Sequence, residues 1–152
     1  MDINQILDKP FTFTRRQKLI PSDLRPIWKA SLVLLIFGIL NKKNKCSLKK
    51  VHIANWISKS ESHLDDFLYW INDTSGIRPD IRMEPALDRV LEMLVGDALL
   101  IKSNGRLEIT ESGYNVFNKL NESATFEVEK KYFMAVKKYM TEANVERIFK
   151  VV

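Results

Sequence analysis

Cysteine occurs once in this 152-residue chain, at Cys46, histidine only twice, at His52 and His63, and glycine five times. A single thiol forms no disulfide within the chain, which fits a reducing cytoplasm. One thiol and two imidazoles fall short of an ordinary zinc site unless several carboxylates stand at suitable spacing, so no metal is expected. Five scattered glycines supply neither the dinucleotide-binding fingerprint nor a Walker A loop. A serine or cysteine nucleophile would need a neighbouring base, and neither histidine has an evident partner in the sequence. His52, set between Val51 and Ile53, reads as a packed or rim residue. Pro79-Asp80 and Glu129-Lys130-Lys131 mimic a metal-dependent nuclease pair, but that chemistry needs the carboxylates and lysine to converge from adjacent strands. Glu129 instead lies in a strongly helical stretch. The expectation is a non-enzymatic protein without a cofactor.

Long hydrophobic runs are also missing. The densest, residues 30–40, would rise only ~16 Å as a helix, about half a bilayer core, so it reads as a buried helix. Asp2 and Asp8 stand where a secretory leader would carry cations and an apolar run. Neither a membrane span nor export is expected. Charge is plentiful but unevenly spread. Residues 1–60 hold twelve Lys/Arg and three Asp/Glu, whereas residues 61–152 hold twelve and sixteen, within a total of +5. Such polarity favours oriented docking on a partner or on nucleic acid; the plain alternative is an uneven solvated surface.

The pattern of elements predicts a mainly α fold with a small β-hairpin wing. It reads as a winged helix-turn-helix with an N-terminal arm, a helical insertion and extra C-terminal helices. Residues 1–25 form the arm, 26–123 the winged-helix domain with an insertion at 58–83, and 124–152 the C-terminal extension. In the arm, Phe11-Thr12-Phe13-Thr14 alternates with the strand period. Two exposed phenylalanines are costly, so the arm packs on its own domain or on another chain. Ser22 or Asp23 could cap the first long helix, residues 27–40, with Pro26 near its first turn. That helix is apolar on nearly every side, as expected of one central to its domain or shared with a partner.

Ser47 caps a second helix, and Lys45-Cys46-Ser47 reads as a short first strand. A helix over 64–71 and an extended stretch over 77–83 fill the insertion. The third helix begins at Pro85, carries Leu87, Val90, Leu91, Leu94 and Val95 on one stripe, and is expected to stop at Gly96. Asn104-Gly105 is a strong type I′ hairpin signal between residues 99–103 and 106–109. Thr110 caps the next helix. A last long helix over 127–140 and a short one capped by Thr141 complete the chain.

The third helix is the one that would enter DNA, yet it carries Glu84, Asp88, Glu92 and Asp97 against one Arg89. Phosphates repel such a helix, so Asp88 and Glu92 are expected to face a protein partner. Cations gather elsewhere, at Lys42, Lys43, Lys45, Lys49 and Lys50, with Lys102 and Arg106 on the hairpin. That set can neutralise phosphates without reading bases. A solvated face is its commoner use.

Several segments together carry a resemblance. They are residues 10–16 (PFTFTRR), 21–30 (PSDLRPIWKA), Ser47-Leu48 through His52-Ile53-Ala54-Asn55-Trp56, 82–89 (RMEPALDR), 95–99 (VGDAL) and 109–113 (ITESG). In that order, over nearly the whole length, the chain resembles the middle component of ABC-three-component systems, which include the Lamassu-type bacterial antiphage systems. It is also similar to the winged-helix accessory subunits of SMC complexes. The resemblance implies a small adaptor joining an SMC-like ABC ATPase to an effector such as a nuclease, with Phe11, Phe13, Arg15, Arg16, Asp23 and Trp28 at the partner interface. DNA backbone and a second copy of the chain are further candidate partners. The alternative is a dimeric winged-helix transcription regulator pairing through residues 127–149.

Overall fold

The computed structural model describes residues 25–41, 45–73 and 75–150, which form helices around a small three-stranded antiparallel sheet. The candidate interface residues Phe11, Phe13, Arg15, Arg16 and Asp23, and the candidate phosphate-neutralising Lys42 and Lys43, lie outside the described residues. In chain order the elements are α1 (Pro26–Ile36), a π-helical turn (Phe37–Asn41), β1 (Cys46–Ser47), α2 (Leu48–Ser58), α3 (Glu61–Asn72), α4 (Pro85–Gly96), β2 (Leu100–Ser103) and β3 (Arg106–Ile109). Then follow α5 (Glu111–Glu122), α6 (Glu127–Val136), a 3-10 turn (Lys137–Tyr139) and α7 (Glu142–Phe149).

The all-round apolar helix is central because two cores share it. Leu32, Leu35 and Ile36 of α1 pack with α2, α3 and residues from α5, α6 and α7. Val33, Leu34 and Phe37 pack instead with Cys46, α4 and the sheet. Each fully buried leucine contributes about 1.5–3 kcal/mol of burial before chain entropy is charged against it. Phe133, Val136, Val145 and Ile148, from the C-terminal helices, sit in the first of these cores. The C-terminal helices therefore contribute to the core, while Val128 and Met134 of α6 stay exposed.

Ser47, Thr110 and Thr141 cap the helices that the sequence assigns to them, Ser60 adds a cap not read there, and two other ends are exceptions. Ser47, Ser60, Thr110 and Thr141 each accept a first-turn amide N–H through the side-chain oxygen. The first exception is α1, whose N-cap is Arg25 with Pro26 in the first turn, not Ser22 or Asp23. The second is the end of α4. Gly96 is its last helical residue, and the chain turns at Ala98, which holds φ at 58°. Ala98 N–H donates to Val95 O at 3.1 Å and Leu99 N–H to Leu94 O at 3.0 Å, the paired bonds of a Schellman ending.

α1 also ends earlier than expected, passing into the π turn at Phe37. Gly38 lies within that turn, and a Cβ there would stand 2.1 Å from the Phe117 ring of α5. The expected helix over 127–140 likewise divides, becoming a 3-10 turn after Val136.

Strand order is β1-β3-β2, with Cys46 opposite Leu107 and Leu100 opposite Ile109. Asn104 and Gly105, at φ 53° and 74°, make the two-residue type I′ turn that Asn-Gly favours. The hairpin thus follows α4 directly. Between α2 and α4 stand α3 and residues 77–84, which belong to no helix or strand; the sequence pattern predicts a helix over 64–71 and an extended stretch over 77–83 there.

Candidate functional site

A chain of polar contacts fixes where α4 lies. Glu84, immediately before Pro85, is half-buried and accepts a 2.7 Å hydrogen bond from Asn55 Nδ2 of α2. Lys59 and Lys29 approach the same Oε2 at 3.3 and 3.7 Å. Lys29 is only 2 % exposed and also donates to Asn55 Oδ1 at 2.8 Å. Burial alone would raise the Glu84 pKa. The Asn55 hydrogen bond and the Lys29 and Lys59 charges outweigh it, and the net direction is downward.

His52 completes the clamp. Glu84 N–H donates to His52 Nδ1 at 3.2 Å, so the ring proton resides on Nε2, which donates to Asp88 Oδ1 at 2.9 Å. Both histidines therefore have partners that the sequence did not disclose. His63 meets the Trp56 carbonyl through Nδ1 at 2.7 Å and stacks on the Trp56 ring. With both nitrogens of His52 engaged by α4, neither is left to activate a nucleophile. Among the described residues no group of three or more His, Cys, Asp and Glu could hold a metal ion. Glu129 lies on α6, and Asp80 is an exposed partner of Arg82 in the loop before α4. They do not meet on adjacent strands.

Held this way, α4 borders a groove of about 440 Å³ against the hairpin. Its floor is apolar: Leu48 at the start of α2, Leu91 and Val95 of α4, and Leu107 of β3. Asp88 and Glu92 stand along the α4 side, with Lys102 across from them on β2. Leu91 and Leu107 are buried, while Leu48 is 38 % exposed. Asp88 has two duties here, because its carboxylate holds His52 yet remains 46 % exposed. Its place in the first turn also complements the positive end of the helix.

The described candidate cations, Lys45, Lys49, Lys50, Lys102 and Arg106, do not line one pocket. Lys45 and Lys49 are accessible, but Lys49 is paired with Glu146 of α7 at 3.3 Å. Lys50 stands apart from these two: it is 5 % exposed, and its Nζ donates to Asn41 Oδ1 at 2.8 Å. The helical period of α2 turns it inward while Lys49 stays outside. Lys102 and Arg106 also part company, Lys102 lining the α4 groove and Arg106 a cleft bounded by Lys45 and α7.

Trp28 is half-buried and packs on Phe126 with ring centroids 5.3 Å apart, so its indole is partly committed to the fold. Its neighbour Ile27 is the exposed apolar residue, at 82 %. Sequence reasoning missed the Lys29–Asn55–Glu84 cluster. The signal was present as a lone lysine inside an apolar helix, which demands a buried acceptor.

Among the described residues no helix is long and apolar enough to cross a membrane. Comparison with models of protein families, with curated proteins and with solved structures gives no match to this chain.

Proposed function

We propose that this chain is a non-enzymatic winged-helix adaptor of a bacterial antiphage defence complex, working in the cytoplasm. It links an SMC-like ABC ATPase to its effector and contacts DNA non-specifically, through backbone phosphates. On this reading α2 and α4 are the helix pair, α3 is the insertion, and the β2–β3 hairpin is the wing. One observation carries the proposal: the helix in the reading position offers an apolar groove edged by Asp88 and Glu92. Carboxylates there oppose a phosphate wall, while an apolar floor with a charged rim suits a polypeptide. The defence setting comes from the sequence resemblance.

The test is co-purification with an SMC-like ABC ATPase from the same genome. Leu48→Glu combined with Glu92→Lys alters the groove at two accessible positions. The expected result is a complex weakened about tenfold or more, with the melting temperature of the free chain nearly unchanged. Full retention of the complex would refute the groove as the docking surface. A regulator would instead bind one operator far more tightly than random duplex at moderate salt.

A further inference from the structure

Among the described residues two lysines are buried, and they differ in their carboxylate partners. Lys29 has Glu84 within 3.7 Å as well as the Asn55 amide oxygen. Lys50, at 5 % exposure, donates to Asn41 Oδ1 and makes no ion pair among the described residues. An ammonium has three protons to donate, and a buried one without a counter-ion is strongly unfavourable. The neighbouring Cys46 thiol does not serve, because burial pushes its pKa up to about 12 and leaves it uncharged at neutral pH.

Lys50 lines a cleft of about 530 Å³ between the hairpin and the start of α7. Lys45 and Arg106 line it as well, with Asn41, Thr141 and Glu142. Thr141 caps α7 by accepting from Asn144 N–H, which leaves its hydroxyl proton free to donate. Glu142 is the opposing charge, and its Oε1 accepts from Ser47 N–H at 3.3 Å. Three cations thus face one carboxylate, beside the positive end of a helix.

We infer that this cleft binds a phosphate group, with Lys50 as its buried counter-charge and Arg106 and Lys45 closing on the outer oxygens. The phosphate belongs either to a nucleic-acid backbone or to a free phosphorylated small molecule. The cleft deepens the DNA-contact part of the reading above, but it rests on that reading only for the polymer source. It stands whether or not the groove beside α4 docks a protein.

The experiment follows backbone amide resonances of the whole chain while inorganic phosphate, and separately a short duplex of random sequence, is added. Amides of Lys50, Arg106 and Glu142 are expected to shift with phosphate. Lys50→Met should weaken that binding about tenfold or more, and Arg106→Ser, on the accessible hairpin, should weaken it in a fold that stays intact. Phosphate should also raise the melting temperature of the parent protein but not that of Lys50→Met. If duplex moves the same amides and phosphate competes with it, the source is a backbone phosphodiester. If phosphate alone moves them, the source is a free anion. Absence of any cleft shift with either probe, or unchanged binding by both variants, overturns the inference.

Discussion

Glu84 does more for this fold than its place at a helix boundary implies. Its carboxylate lies within reach of Lys29 and Lys59, and its backbone N–H fixes the acceptor nitrogen of His52. Replacing it with Gln removes the charge that compensates a buried ammonium. The loss should be about 2–4 kcal/mol at neutral pH, read by urea titration. Lys29→Met added to Glu84→Gln should recover part of it, because the buried ammonium then goes too. Acid acts on the same group with a defined sign. Its native pKa lies below the ordinary 4.5, so its stabilisation is whole above that value and lost as pH falls through the lowered native value. Glu84→Gln should therefore flatten the acid limb of the stability curve. A variant as stable as the parent, with the same acid limb, would contradict this account of the cluster.

At the scale of elements, much of the architecture was legible because local chemistry and tertiary packing agree. Serine and threonine caps, the Asn104-Gly105 turn and the heptad-like stripe of α4 all specify backbone shape within a few residues. Boundaries set from outside the segment were not legible. The π turn around Gly38 depends on the close approach of Phe117, 79 residues away in the chain. The end of α4 shows a different limit. Gly96 looks like a stop, yet the left-handed position falls on Ala98, where Thr110 Oγ1 also donates to the Ala98 carbonyl at 2.7 Å. An alanine in that conformation is strained by about 1 kcal/mol. Ala98→Gly should relieve it and raise stability by about 0.5–1 kcal/mol, a gain of a few degrees in melting temperature. A loss of stability would mean that the turn is held by something other than its backbone preference. Side-chain partners across helices were least legible of all. His52 with Asp88 and Lys50 with Asn41 are spatial pairs that no spacing rule joins.

In the whole molecule, the hairpin divides two surfaces of unlike chemistry. On one side lies the apolar groove with Asp88 and Glu92, and on the other the cleft with Lys45, Lys50 and Arg106. α1, packed into both cores, ties them into one body, so a partner on either face bears on the same helix. Hydrogen exchange across α4 and the hairpin, with and without the SMC-like ATPase, tests the central claim most directly. The account predicts slower exchange in α4 and in β2 and β3 when the ATPase is present, with random duplex leaving α4 unchanged. Unaltered exchange there in a complex that does form, or protection of α4 by duplex DNA, would contradict it.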